Sequence, residues 1–169
     1  FVLASALIDR FRRDDEEARG LWRHAVQAGQ WARALSGMMG ARETPAEAFT
    51  AGLVHDIGKL VLLQYFVREH ELVLKLVREG VPRLQAEREA LGIAHPDMGA
   101  YLCHFWGFPE GMCQAVLYHH ASAGMLQTVP ELEPLARVVN AACRIANQPL
   151  KENPEVALAN LEDEFFACH

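Results

Sequence analysis

Apolar residues recur every three or four positions through almost the whole of this 169-residue chain, and no stretch alternates apolar with polar in the manner of a strand. That period commits the backbone to helices. Any chemistry must then come from helix faces or from the joints between helices. Those joints are legible. The acidic run Asp14-Asp15-Glu16-Glu17 suits the positive end of a helix that continues to about Met39. Thr44-Pro45-Ala46-Glu47 combines a Thr N-cap, Pro in the first turn and Glu at the capping-box position. Gly80, Gly92 and Gly107 read as helix stops, and Pro82, Pro96 and Pro109 as starts. A helix over Phe1 to Phe11 precedes these, and a long one from about Pro130 to Asn147 and another after Pro154 follow. The pattern predicts one all-α domain over 1–169, a bundle of roughly eight or nine helices. Opening on Phe1, in what reads as mid-helix, the chain is expected to be a piece of a longer protein.

Within this pattern the segment 60–66 is so continuously apolar that it reads as buried. In the helix over 69–79, Leu72, Leu76 and Val77 read as inward, and His70, between Glu69 and Glu71, as solvent-exposed. Of the four cysteines, Cys103, Cys113 and Cys143 fall in apolar helical patterns and read as buried thiols that pack the core. No C-x-x-C pair is present, which argues against a zinc ribbon or a thioredoxin-like site. A net charge of −6 does not favour nucleic acid or an anionic membrane surface as partner, and no apolar run is long enough for a transmembrane helix. With no signal peptide or glycosylation sequon read in the sequence either, the expected setting is the reducing cytoplasm.

The stretch Gly52-Leu53-Val54-His55-Asp56-Ile57-Gly58-Lys59 sets an imidazole and a carboxylate side by side in an apolar context. Both bind divalent metals, and neither belongs unpaired in a dry core. Gly58 reads as a helix stop or kink just beyond them, and Lys59 as a cation able to meet a phosphate. A lone His-Asp pair has a plainer explanation, a satisfied histidine at a helix end. The wider pattern outweighs it. His24, His95, His119-His120 and Asn140 also fall on apolar helix faces, and an ion shared between helices would satisfy all of them at once.

These words resemble the HD superfamily of metal-dependent phosphohydrolases and, more closely, its HDOD family, the modified-HD output domain of bacterial signalling proteins. The resemblance is carried by Leu21-Trp22-Arg23-His24, by 51–59 around His55-Asp56, and by Ala86-Glu87-Arg88-Glu89 with Leu91-Gly92. His95 with Gly99, Trp106-Gly107-Phe108-Pro109 and His119-His120 continue it in the family's order. It implies that His24, His55 and Asp56 hold one metal and that His95, His119 and His120 serve a second, with Asp56 between them. It also implies that Lys59 offsets phosphoryl charge. The implied cofactor is a divalent metal, and the imidazole and carboxylate donors suit Fe, Mn, Zn, Ni or Co. Asn140 stands where the family's final Asp is expected, no Gly-Tyr-Pro follows the histidines, and Gly20 replaces a carboxylate one turn before His24. The expectation is therefore a signalling domain with little or no hydrolase activity, working through partner proteins or fused domains. The alternative is a phosphohydrolase of a nucleotide or cyclic nucleotide, with Asp56 and Lys59 in catalytic roles.

Overall fold

A computed structural model of the chain describes residues 16–39, 44–122, 124–125 and 134–148. Among these residues there are eight α-helices and no strand: α1 Glu16–Ser36, α2 Pro45–Val54, α3 Ile57–Tyr65, α4 Val67–Arg78, α5 Arg83–Leu91, α6 His95–Phe105, α7 Glu110–Tyr118 and α8 Pro134–Ala146. The all-α expectation holds. The helices read over 1–11 and after Pro154 lie outside the described residues. No described helix is long and apolar enough to cross a membrane.

Local chemistry starts these helices much as the sequence implies. The Thr44 backbone N–H and hydroxyl donate to the Glu47 carboxylate, at 2.7 and 2.8 Å, and Thr44 Oγ1 accepts from the Glu47 N–H at 3.3 Å. This capping box fixes the start of α2. At α6 the Ala94 N–H donates to Asp97 Oδ2 at 3.2 Å, with Pro96 in the first turn.

The core centres on α8. Nine of its 13 residues are buried, which requires neighbours on nearly every side. α1, α2 and α7 supply them, and Leu35, Ala51, Ala115, Leu135, Val139 and Ile145 belong to one continuous apolar cluster. Beside this group α3 packs on both α4 and α6, and α5 packs on α4; the set is joined to the core where α3 meets α1 and α6 meets α7.

Two close approaches set the geometry. Gly52 of α2 lies against α1 so tightly that a Cβ would stand 2.8 Å from both the Ala28 carbonyl oxygen and Gly29 Cα. A Cβ on Gly58 would overlap the His95 carbonyl oxygen. Gly58 is therefore neither a stop nor a kink. It lies inside the first turn of α3 and lets the start of α6 come up against it. The helix breaks earlier, at His55-Asp56, which form the two-residue joint between α2 and α3.

Three further readings are corrected. In 60–66 only Leu62 is buried, and Tyr65 and Phe66 are exposed. The segment packs through one stripe, so an apolar composition did not amount to burial on all sides. On α4 the inward stripe is His70 and Val73, with Leu76 half-buried, whereas Leu72 and Val77 are exposed. His70 is only 4% exposed, and its Nε2 lies 3.0 Å from Glu17 Oε1 of α1. Its neighbours Glu69 and Glu71 misled because adjacent residues on a helix point about 100° apart.

The glycines give a paired stability test. Gly58→Ala is expected to destabilise the domain by about 1–3 kcal/mol through overpacking. Gly20→Ala is expected to stabilise it by about 0.5–1 kcal/mol, because Gly20 sits inside α1 with nothing within 4 Å of an added Cβ. Urea denaturation of the two variants beside the parent checks both signs.

Candidate metal centre

The joints and helix ends converge on one buried group of side chains. His24 comes from the middle of α1, His55 and Asp56 from the α2–α3 joint, and His95 from the first residue of α6. His119 and His120 follow the last turn of α7, and α8 passes behind with Asn140 and Cys143. His55, His95 and His119 are 0–1% exposed and Asp56 is 4% exposed, whereas His24 is partly buried and His120 lies at the solvent edge.

The hydrogen bonds fix where the protons are. His55 Nδ1 donates to the Gly52 carbonyl, and His119 Nδ1 to the Val116 carbonyl, each at 2.6 Å. His95 Nδ1 donates to Glu87 Oε2, also at 2.6 Å. Carbonyls and ionised carboxylates only accept, so each of these rings carries a proton on Nδ1; His55 and His119, which burial keeps neutral, then turn a bare Nε2 lone pair inward. Those lone pairs meet other acceptors. His95 Nε2 and His119 Nε2 lie 3.3 Å apart. Asp56 Oδ1 stands 3.3 Å from the first and 3.2 Å from the second, yet it has no hydrogen-bond partner. His24 Nε2 and His55 Nε2, 3.2 Å apart, lie 3.6 and 3.5 Å from Asp56 Oδ2. That second oxygen accepts from Lys59 Nζ at 2.7 Å.

Burial pushes the His55 imidazole down to about 3, against a partial upward pull from Asp56. Burial likewise pushes His120 down to about 3 and lowers His24 and His119. Burial alone would raise Asp56, but the ammonium of Lys59 opposes it, and the carboxyl is held well below its usual range. Glu87 behaves similarly. Burial opposes ionisation, but the bonds from His95 and Arg83 hold it down to about 2. The result is an anionic oxygen without a hydrogen-bond partner, facing a buried imidazole lone pair of His119 in a site largely closed to water, an arrangement that favours a shared cation.

The residues present fit such a cation. Donor atoms that share an ion at about 2.1 Å stand about 3.0–3.4 Å from one another, which is the spacing of Asp56 Oδ1, His95 Nε2 and His119 Nε2. Two sets have ligand atoms within 4.8 Å of one another: Asp56, His95, His119 and His120, and His24, His55 and Cys143. Asp56 links them through its two oxygens.

Seven of the residues singled out in the sequence thus meet here: His24, His55, Asp56, Lys59, His95, His119 and His120. Asn140 has a different task. Its Nδ2 donates to the carbonyls of His119 at 3.0 Å and Ala121 at 2.9 Å, tying α8 to the histidine turn. Two participants escaped the sequence reading as functional residues. Glu87 is fully buried on α5 and accepts from both the backbone N–H of His95, at 2.8 Å, and its ring. It fixes the tautomer of His95, the usual task of a carboxylate behind a metal-binding histidine. Its signal was an acid in a short helix eight residues before His95. Cys143 is buried, as expected of a core thiol, but its Sγ lies 3.8 Å from His24 Nε2. Its spacing of three from Asn140 places both on one face of α8.

Comparison with known proteins agrees with this geometry. An uncharacterized protein of Treponema pallidum (strain Nichols) is 27% identical over 115 residues, covering 63% of this chain and 21% of that protein. Among solved structures, a candidate phosphohydrolase of Shewanella amazonensis SB2B superposes with a TM-score of 0.73 at 22% identity, over 89% of this chain and 54% of its own. A candidate signal transduction protein of Marinobacter aquaeolei VT8 superposes with a TM-score of 0.60 at 28% identity, over 74% of this chain and 28% of its own. The chain thus spans about a fifth to a half of the length of these proteins. The HDOD domain family is matched over residues 1–122, well over half of the sequence and through His24, His55-Asp56, His95 and His119-His120; the chain belongs to that family.

Proposed function

We propose that this chain is a bacterial signal-transduction output domain of the HDOD type that binds a divalent metal between its helices and has little or no hydrolase activity of its own. The observation that carries the metal reading is the inward convergence of acceptors. Asp56 Oδ1 is buried without a hydrogen-bond partner, beside two imidazoles whose protons are committed outward. His24, His55, Asp56, His95, His119 and His120 would hold the metal. When bound there, a divalent ion supplies Lewis acidity and lowers the pKa of water. Glu87 and the Gly52 and Val116 carbonyls keep the rings aimed.

Weak turnover follows from how the remaining groups are engaged. Lys59 is 12% exposed, and its ammonium is already on Asp56, so it is not held ready for a phosphoryl group. The Nδ2 of Asn140 is bonded to two carbonyls, and a neutral amide supplies no carboxylate at this position. Action through partner proteins or fused domains is supported by the signal transduction protein of Marinobacter, which extends well beyond the matched region. It is supported too by the exposed pair Tyr101 and Phe105, one turn apart on α6. A cytoplasmic setting would keep the free thiols Cys103, Cys113 and Cys143 reduced. The second reading, a metal-dependent phosphohydrolase of a nucleotide or cyclic nucleotide, draws on the joint presence of His24, His55, Asp56 and Lys59 in one site.

The deciding experiment is elemental analysis of untagged protein purified without chelator. Near-stoichiometric metal is expected, and it should vanish in a His55→Ala, Asp56→Ala double variant. Metal-free parent protein would overturn the metal reading. Fast metal-dependent cleavage of phosphate esters by the parent would overturn the weak-turnover reading in favour of the phosphohydrolase.

Removing the metal exposes a pH dependence. The unfolded chain protonates His55 near 6.5, whereas the folded site resists until about 3. Between these values the unfolded state binds more protons. The stability contributed by a neutral His55 is therefore complete above about pH 6.5 and is lost as pH falls through that window, by about 1.4 kcal/mol per pH unit. His120 acts in the same direction but less, being screened at the solvent edge. Urea midpoints of chelator-treated protein should fall from pH 7.5 to pH 5.

Asn140→Asp separates a silenced ligand from a structural bridge. It would set a carboxylate against the His119 and Ala121 carbonyls, and a loss of about 3–5 kcal/mol is expected. Increased metal affinity or new hydrolysis in this variant would instead mark position 140 as a ligand site.

A further inference from the structure

We propose that Cys143 is a metal ligand, and that with His24 and His55 it forms a thiolate-containing site beside the nitrogen and oxygen site of Asp56, His95, His119 and His120. The inference deepens the metal reading above and rests on it. Three observations carry it. The sulfur is 1% exposed and stands 3.8 Å from His24 Nε2, and the donor atoms of Cys143, His24 and His55 all lie within 4.8 Å of one another. The sulfur also accepts a hydrogen bond from Asn147 Nδ2 at 3.5 Å, which holds it in place beside the rings. Finally, Asn140, one turn earlier, ties α8 to the histidine turn through its Nδ2, which holds this part of α8, and the sulfur on it, against the site.

The donor set decides the metal class. Two imidazoles and a thiolate, with Asp56 Oδ2 at 3.5–3.6 Å from both rings, match the mixed nitrogen and sulfur ligation that zinc accepts and that manganese and magnesium do not favour. Binding breaks the S–H bond, forms a sulfur–metal bond and releases the proton to solvent. A core thiol without this role would need only apolar neighbours, as Cys103 has in the cluster with Cys113 and Val116.

The test is X-ray absorption at the zinc edge on the zinc-loaded chain. The expected result is a sulfur neighbour at about 2.3 Å beside nitrogen and oxygen at about 2.0–2.1 Å. The sulfur should disappear in Cys143→Ser while the nitrogen and oxygen neighbours remain, and it should persist in Cys103→Ser. Circular dichroism establishes that each variant is folded. If Cys143→Ser does not fold, cobalt loading of the parent and of Cys103→Ser replaces it. A thiolate-to-cobalt charge-transfer band in both supports the inference, and its absence from the parent overturns it. Bound zinc surrounded by nitrogen and oxygen alone, or sulfur scattering that survives in Cys143→Ser, overturns the proposal and leaves the metal reading standing. A chain that binds no zinc, cobalt, manganese or iron overturns both.

Discussion

The centre of this molecule is the Asp56 carboxylate, ionised and almost wholly buried. A buried charge without compensation costs several kcal/mol, and the surrounding structure is arranged around that cost. Lys59 answers one oxygen from the same helix. The other oxygen faces the Nε2 atoms of His95 and His119, whose Nδ1 protons are held by Glu87 and Val116, and it is left without a hydrogen-bond partner. Local hydrogen bonding therefore leaves the need for positive charge in place and aims several ligands at it.

That arrangement depends on backbones coming unusually close. His24 and His55 meet because Gly52 lets α2 lie directly on α1. His95 reaches Asp56 because Gly58 lets the first turn of α6 rest on α3. α8, buried on nearly all sides, then pins the histidine turn through Asn140 and brings Cys143 up to His24. The glycines, the amide and the buried helix serve the site as much as the fold, and a change in any of them acts on both.

On the proposed reading, the domain holds a ligand more than it turns one over. Three of the ring donors are sealed from solvent, the nearby lysine is already paired, and water meets the cluster at His24 and His120. A metal held in this way would join α1, α6, α7 and the α2–α3 joint, so occupancy would change the relation of four chain segments at once. Coupling of that kind is what a signalling domain passes to its neighbours.

By itself the sequence determined the helical class, the start of α2 and which histidines sit on apolar faces. Helical period, capping chemistry and the gathering of His24, His55-Asp56, His95 and His119-His120 on apolar faces are local properties, written within a few residues of where they act. The tertiary structure alone decided the remainder. His70 is buried because Glu17 of another helix receives it, not because of anything at 69 or 71. Glu87 matters because the fold sets His95 upon it. Gly58 admits a carbonyl from 37 residues further on, where its local reading was a helix stop. Cys143, not Asn140, brings α8 up to His24, a choice between positions one turn apart that the helical period leaves equivalent. Each of these is settled by a partner distant in the chain, and a side chain's role in a buried polar cluster is set by its partner.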